Sequence, residues 1–354
     1  MLKSVVAGVV AGCLGAGAVS LAHAQAGSVP DDISQEELIA KAKEEGRLTW
    51  YVSVPTPGSQ AAAEAFMELY PEIQVDIQRL GGFGLWERLS SEFAANVHNV
   101  DVYSQADFGV RNDAAERGII APYIPPNARD YDPQFLDPDG FGFATRIVPS
   151  AIAYNTDLVS EEDAPKTWND LLDPMWAGQK IGISDPRASG FTYAAFWKMT
   201  KSPAIGEEYF EKLKEQDPLV YEDSGQQINS LVSGEIPIVV LLDYRPWEFM
   251  EAGAPVKVVY PEEGVGWGMD YTHLAAQAPH PYAARLFMDF YASEEGTRAV
   301  AENLRTYVAM PGIGTYPEGY GRPALEELNL LPGDLQEQTA DYDRFTEWFA
   351  SIFD

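Results

Sequence analysis

Cysteine is almost absent: the 354 residues hold one, Cys13. A chain with a single cysteine has no disulfide framework and no thiolate metal cage. Positive charge is also scarce, with 24 Lys and Arg against 54 Asp and Glu and a formal net charge of −30. That balance excludes the basic face that nucleic acids and anionic membranes require. Histidine is rare as well: only His23, His98, His273 and His280 occur, in no metal-ligand spacing. Neither a Gly-x-Ser-x-Gly elbow nor a Gly-x-x-x-x-Gly-Lys phosphate loop is present, so the common nucleophile and nucleotide motifs are missing. Long apolar runs are confined to the first two dozen residues.

That opening stretch, MLKSVVAGVVAGCLGAGAVSLAHA, has the layout of a secretory leader. Lys3 is the basic n-region, Ser4 to Leu21 carry no charge, and Ala22-His23-Ala24 is a small-x-small cleavage site. The expectation is cleavage after Ala24 and a periplasmic chain from Gln25 on. Two alternatives are a membrane anchor and a lipoprotein. The run is barely long enough to span a bilayer. Val10-Ala11-Gly12-Cys13 resembles a lipobox, but small and apolar residues follow it where a polar tether belongs. Cleavage removes Cys13, so the remaining fold is held by its core alone. That length exceeds what one core usually organises, which predicts two lobes. The dispersed acidity reads as a solvated surface.

Beyond the leader the chain repeats one grammar, an apolar strand followed by a polar turn and a helix. Residues 48–52 form a strand, 53–58 a turn, and a helix runs from Ser59 to Tyr70, before a strand at 73–77. The same pattern recurs at 100–104, at 180–183 with a helix over 191–200, and at 236–242 with a helix to about Gly253. This βαβ spacing predicts a mainly parallel sheet in each lobe, flanked by helices. Residues 35–46 and 281–292 read as amphipathic helices, and 120–140 as a long surface loop. Ligands of such sheets bind beyond the strand carboxyl ends, close to helix N-termini, so a polar cleft between the lobes is expected.

Four turns supply candidate ligand contacts. Asp185-Pro186-Arg187-Ala188-Ser189-Gly190 offers a cap, an open backbone and a cation, a combination suited to an anion. The same residues also fit a plain N-cap with Arg187 in solvent. Ser53 and Thr56 bring hydroxyls that either bind ligand or cap the turn. Gln105 ends the next strand. Asp243, Tyr244 and Arg245 follow an apolar strand, and a hydroxyl with a guanidinium suits a phosphate, phosphonate or carboxylate. Trp267 and Tyr271 form either an aromatic wall or part of the core. With so many acidic residues, a carboxylate pair for a secreted hydrolase also stays open.

The motif set Ser150-Ala-Ile-Ala-Tyr154-Asn155-Thr-Asp-Leu158, Thr167-Trp168-Asn-Asp-Leu171-Leu172, Ser233-Gly234-Glu235, Ala278-Pro279-His280-Pro281 and Phe290-Tyr-Ala-Ser293-Glu-Glu-Gly296 resembles the periplasmic solute-binding proteins of ABC transporters. The similarity is to the type II, ferric-iron-binding-like branch, over nearly all of 35–312. It implies a non-enzymatic α/β protein without cofactor, monomeric, delivering a solute to a membrane permease. It further implies lobes of 27–145 plus 260–312 and 146–259 plus 313–354, crossing near 145–150 and 256–262. Ferric-binding members use a His in the first turn, a Glu in the second and two adjacent tyrosines after the apolar strand. Here the first turn has no His, Gln105 replaces the Glu, and the pair is reduced to Tyr244-Arg245. Ser150 stands where the branch has an anion-assisting Arg. An Arg beside ferric iron is repulsive, so the expectation is a small organic anion, with iron or an iron chelate as the alternative.

Overall fold

The computed structural model describes residues 29–106, 108–314 and 316–354; the leader read from residues 1–24 lies outside them. In chain order the elements are α1 (Gln35–Glu45), β1 (Arg47–Val52), α2 (Thr56–Leu69), β2 (Gln74–Arg79), α3 (Gly82–Ala94), β3 (Val102–Gln105), α4 (Phe108–Glu116) and β4 (Ile120–Ala121). Then follow β5 (Gly142–Asn155), β6 (Ile181–Ser184), α5 (Gly190–Lys201), α6 (Gly206–Lys214), β7 (Leu219–Tyr221), α7 (Ser224–Val232), β8 (Ile238–Leu242), α8 (Tyr244–Glu251) and β9 (Val256–Val259). The chain closes with β10 (Trp267–Ala275), α9 (Pro281–Tyr291), α10 (Glu294–Leu304), α11 (Leu335–Ala340) and α12 (Tyr342–Phe353).

The strands line up as β2-β1-β3-β10-β5-β8-β6-β7, with β4 on β10 and β9 on β5. The pairs β1–β2, β1–β3, β6–β7 and β6–β8 are parallel. The long β5 is antiparallel to β10 over residues 142–149 and antiparallel to β8 over 150–154. One strand therefore belongs to both lobes, and the sheets are mixed rather than mainly parallel. The expectation of parallel sheets fails at β5 and β10 because these return strands run against the βαβ units.

The buried side chains fall into two large clusters. One gathers Trp50, Phe66, Phe143 and Phe287 with the rest of the first lobe. There the Trp50 ring lies 5.0 Å from both Phe287 and Tyr291. The other gathers Trp168, Trp197, Phe196 and Phe210. Aromatics of α12 at positions 345, 349 and 353 recur every fourth residue, which places them on one helix face. That face is buried in the second cluster, so the C-terminal segment seals the second lobe.

Several local signals behave as read, with shifted ends. Ser34 caps α1 and Gly46, at φ 68°, ends it in the left-handed conformation, where glycine has no Cβ penalty. The first crossover helix begins at Thr56, not Ser59, because Pro57 fits the first turn of a helix. Residues 120–140 contain β4 and short 3-10 turns instead of a bare loop. Gly266 and Gly268, at the start of β10, answer close packing: a Cβ on Gly266 would lie 1.9 Å from the Ala195 carbonyl.

Candidate functional site

A cleft of about 280 Å³ lies between the lobes, with Ser53, Gly82, Gln105, Arg146, Ser189, Gly190 and Tyr244 among its lining. It sits where strands end and helices begin. The N-termini of α2, α3, α5, α7 and α8 all reach it, through Pro55, Gly81, Ser189, Asp223 and Tyr244. Ser189 Oγ accepts from the Thr192 N–H at 3.3 Å, while α2 and α3 have no side-chain cap. Uncapped N–H groups and aligned dipoles give such a wall a positive character without any formal charge.

The buried cation of the lining is Arg146 on β5; Arg79 is an exposed second one, and Asp185, Glu222 and Asp223 bring carboxylates. Arg146 Nε donates to Asp270 Oδ2 on β10 at 2.8 Å. Its Nη1 is buried without a hydrogen-bond partner. The guanidinium also lies 4.6 Å from the Phe191 ring and 5.7 Å from the Tyr244 ring. Asp270 is buried, which raises its pKa; the Arg146 charge and a hydrogen bond from Ser53 pull it back. Losing one partner of such a pair strands a buried charge, at a cost of about 3–5 kcal/mol.

The other side chains are more committed. Gln105 accepts from the Tyr103 hydroxyl, which leaves its amide N–H groups as the donors for the cleft. Asp185 Oδ1 takes the Arg187 backbone N–H at 2.7 Å, and the Arg187 guanidinium covers the rest of the carboxylate. Asp223 Oδ1 caps α7 at Gln226 N, 2.8 Å away. Arg79, Tyr221 and Glu222 complete the rim.

Of the residues singled out from sequence, Ser53, Gln105, Ser189, Gly190 and Tyr244 stand together in this wall. The remainder lie elsewhere. Arg187 pairs with Asp185 and with Asp354 at 2.7 Å, away from the lining. Arg245 turns along its own helix to Glu248, 3.3 Å away. Asp243 is buried against Arg322. Thr56 is exposed on α2. Ser150 is buried in β5, its N–H donating to Gly266 O at 2.8 Å. Trp267 and Tyr271 are buried strand residues, and Trp267 Nε1 donates to Leu331 O at 2.9 Å. Both are packed in the core, outside the lining of this cleft.

Arg146 escaped the sequence reading. The signal was present: it is the one charge in the run GFATRIVPSAIAYN, and a charge inside an apolar strand needs a partner or a task. Arg146 stands four residues before Ser150 in the same strand. The rims from β2 and β7 were missed because neither strand end carries a distinctive turn.

This architecture, two α/β lobes sharing crossing strands around a polar cleft, is that of the type II solute-binding proteins of ABC transporters. Residues 99–319 match the model of a bacterial extracellular solute-binding protein, and the chain belongs to that family. An uncharacterized protein of Haemophilus influenzae is 30% identical over 268 residues, 72% of this chain and 75% of its own length. Iron-bound HitA from Pseudomonas aeruginosa superposes with a TM-score of 0.72 at 21% identity, covering 86% of this chain and 99% of HitA. AfuA from Actinobacillus pleuropneumoniae, with fructose-6-phosphate bound, gives 0.72 at 24% identity, covering 87% of this chain and 99% of AfuA. The protein is thus a non-catalytic transport component that binds a small solute and works with a membrane permease, and membership of the family is consistent with a periplasmic location.

Proposed function

We propose that the cleft captures a small organic anion, a phosphate ester, phosphonate or carboxylate, for delivery to the permease. The observation that carries this reading is Arg146 Nη1, buried and unpartnered in a wall where five helix N-termini converge. An anionic oxygen there gains a charge-assisted bond and removes an unsatisfied donor. The Gln105 amide and the open N–H groups of α3 supply further donors. The bound fructose-6-phosphate of AfuA supports the same chemistry. A second cavity of about 460 Å³ beside Trp267 is a weaker candidate: its buried cation, Lys198, is held by Gln338.

Iron or an iron chelate is the second reading, and the relatives' names favour it over the first. HitA is iron-bound, and ferric-binding proteins of Pasteurella haemolytica and Campylobacter jejuni share the fold. Among the described residues no three His, Cys, Asp or Glu side chains form a metal cluster. Bare ferric iron would therefore rely on Tyr221, Tyr244 and the Glu222 and Asp223 rim. An anionic chelate suits Arg146 better, and the IdiA protein of Trichodesmium carries iron together with citrate.

A thermal-shift screen against phosphate esters, phosphonates, carboxylates, ferric citrate, free ferric iron and spermidine separates these readings. A ligand at about 100 times its Kd adds roughly 2.7 kcal/mol of stability. Stabilisation by a metal-free anion, lost in Arg146→Lys, supports the first reading. A shift with iron alone, with a visible tyrosinate band lost in Tyr244→Phe, replaces it with the second.

A further inference from the structure

Asp243 follows the last residue of β8, one residue before Tyr244 of the cleft wall, and it is wholly buried. Its partner Arg322 is buried as deeply and comes from the segment between α10 and α11. Arg322 Nη2 donates to Asp243 Oδ2. Its Nη1 donates to the carbonyls of Arg305 at 2.5 Å and Tyr316 at 2.6 Å. The Tyr260 hydroxyl donates to the same carboxylate at 2.6 Å and accepts from Trp247 Nε1 at 2.8 Å. The guanidinium lies 4.0 Å from the Tyr307 ring and 5.7 Å from the Trp247 ring. The Asp243 N–H donates to Pro149 O at 3.0 Å.

These partners come from both lobes and from the segments between them. Tyr307 and Tyr316 are core residues of the first lobe. Asp243 and Trp247 sit at the β8–α8 corner of the second, and Tyr260 packs on that lobe's core. Pro149 stands on β5 where it passes from β10 to β8. A buried ion pair is weak evidence for stability, since apolar residues of the same volume do as well. What it adds is a directional, many-pronged fixation of one corner, and here that corner carries Tyr244.

We propose that Asp243 and Arg322 are a positioning pair for solute capture: they hold the β8–α8 corner that presents Tyr244 and set the resting angle between the lobes. Neither residue touches the solute. The proposal rests on the interlobe cleft being the solute site, and on no particular solute. Closure of two lobes needs a hinge with a defined geometry, and this pair ties β5 at Pro149, the segment of Tyr260 and the segment of Arg322 at one point.

The test uses cysteines placed for spin labels at exposed Glu64 on α2 and Glu211 on α6, with Cys13→Ser wherever the leader is retained. The double variant Asp243→Asn, Arg322→Gln removes both buried charges together, so it is expected to fold with a near-normal melting temperature. Its interlobe distance distribution is expected to broaden and shift by several ångströms, and amide exchange in the first turn of α8 to accelerate. A folded double variant with an unchanged distribution and unchanged exchange overturns the proposal. Should the double variant fail to fold, Arg322→Lys keeps the charge but not the two carbonyl bonds, and the same two readouts decide. No solute enters the measurement, so its outcome is independent of the anion reading.

Discussion

Lys198 gives the sharpest quantitative test of the structure. It sits on α5, 1% exposed, with Nζ donating to Gln338 Oε1 at 2.9 Å and lying 4.6 Å from the Trp267 ring. Burial lowers its pKa from the ordinary 10.5 to about 7. The unfolded chain therefore binds more protons than the native one between those two values, and stability from this group rises with pH from about 7 to 10.5. At 1.36 kcal/mol per pH unit the gap amounts to roughly 5 kcal/mol, present as a penalty at and below pH 7. Lys198→Met keeps most of the volume and removes the ionisable group. It forfeits a hydrogen bond of about 1 kcal/mol and strands Gln338 Oε1 at about 1–3 kcal/mol. The variant is thus expected to be more stable than the parent by about 1–3 kcal/mol at pH 7. Near pH 10.5 the order reverses, because the parent amine is then neutral and still bonded. Urea titrations followed by circular dichroism at pH 7, 8, 9 and 10 read this directly, and taking the difference between the two proteins cancels the other titrating groups. A difference that does not vary with pH, or a variant weaker at pH 7, refutes the reasoning.

His273 is buried, and that holds its pKa down at about 4. Because the unfolded imidazole binds its proton first, stability is full above about pH 6.5 and falls by up to about 3 kcal/mol toward pH 4; His273→Gln is expected to flatten that limb in acid denaturation curves. Arg146→Lys keeps a cation beside Asp270 but loses the forked donor, so the affinity for a hit anion is expected to drop about tenfold or more in calorimetry with little change in melting temperature. Arg187→Ala, which removes a guanidinium paired outside the cleft, is expected to leave that affinity unchanged within about twofold; an equal loss in both variants would mean the solute lies nearer the Asp185 turn. Gly266→Ala drives a Cβ into the Ala195 carbonyl of α5, and a loss of about 3 kcal/mol or outright misfolding is expected from its urea midpoint.

The βαβ grammar was legible because β1, β3, β6 and β8 are short apolar runs closed by polar turns, and that length and punctuation favour buried strands. The helix at 82–94 was not read, since its Gly-rich start lacks a capping side chain. Nor was β5 assigned as one strand of fourteen residues, all of them buried. A strand that changes partners midway has no local signature: residues 142–149 and 150–155 follow the same alternation, and only β10 and β8, distant in sequence, tell them apart. The C-terminal α12 was not read either, although its aromatics recur every fourth residue, and its partners on α5 and α6 lie far off in sequence.

The candidate site divides along the same line. Residues at strand ends, Ser53, Gln105, Ser189 and Tyr244, were reachable from turn chemistry, because a turn after a buried strand must open at the sheet edge. The arginines were not reachable in that way. Arg187 and Arg245 sit in the right turns and spend their charge on Asp185, Asp354 and Glu248. Arg146 and Arg322 sit in unremarkable sequence and are drawn inward by Asp270 and Asp243. In a chain with more than two acids for every base, a guanidinium meets a carboxylate in most environments. Burial can limit the competing carboxylates to one and leave part of a guanidinium open to a solute. Arg146 meets that condition: Asp270 occupies one edge of its fork, and Nη1 is left without a partner.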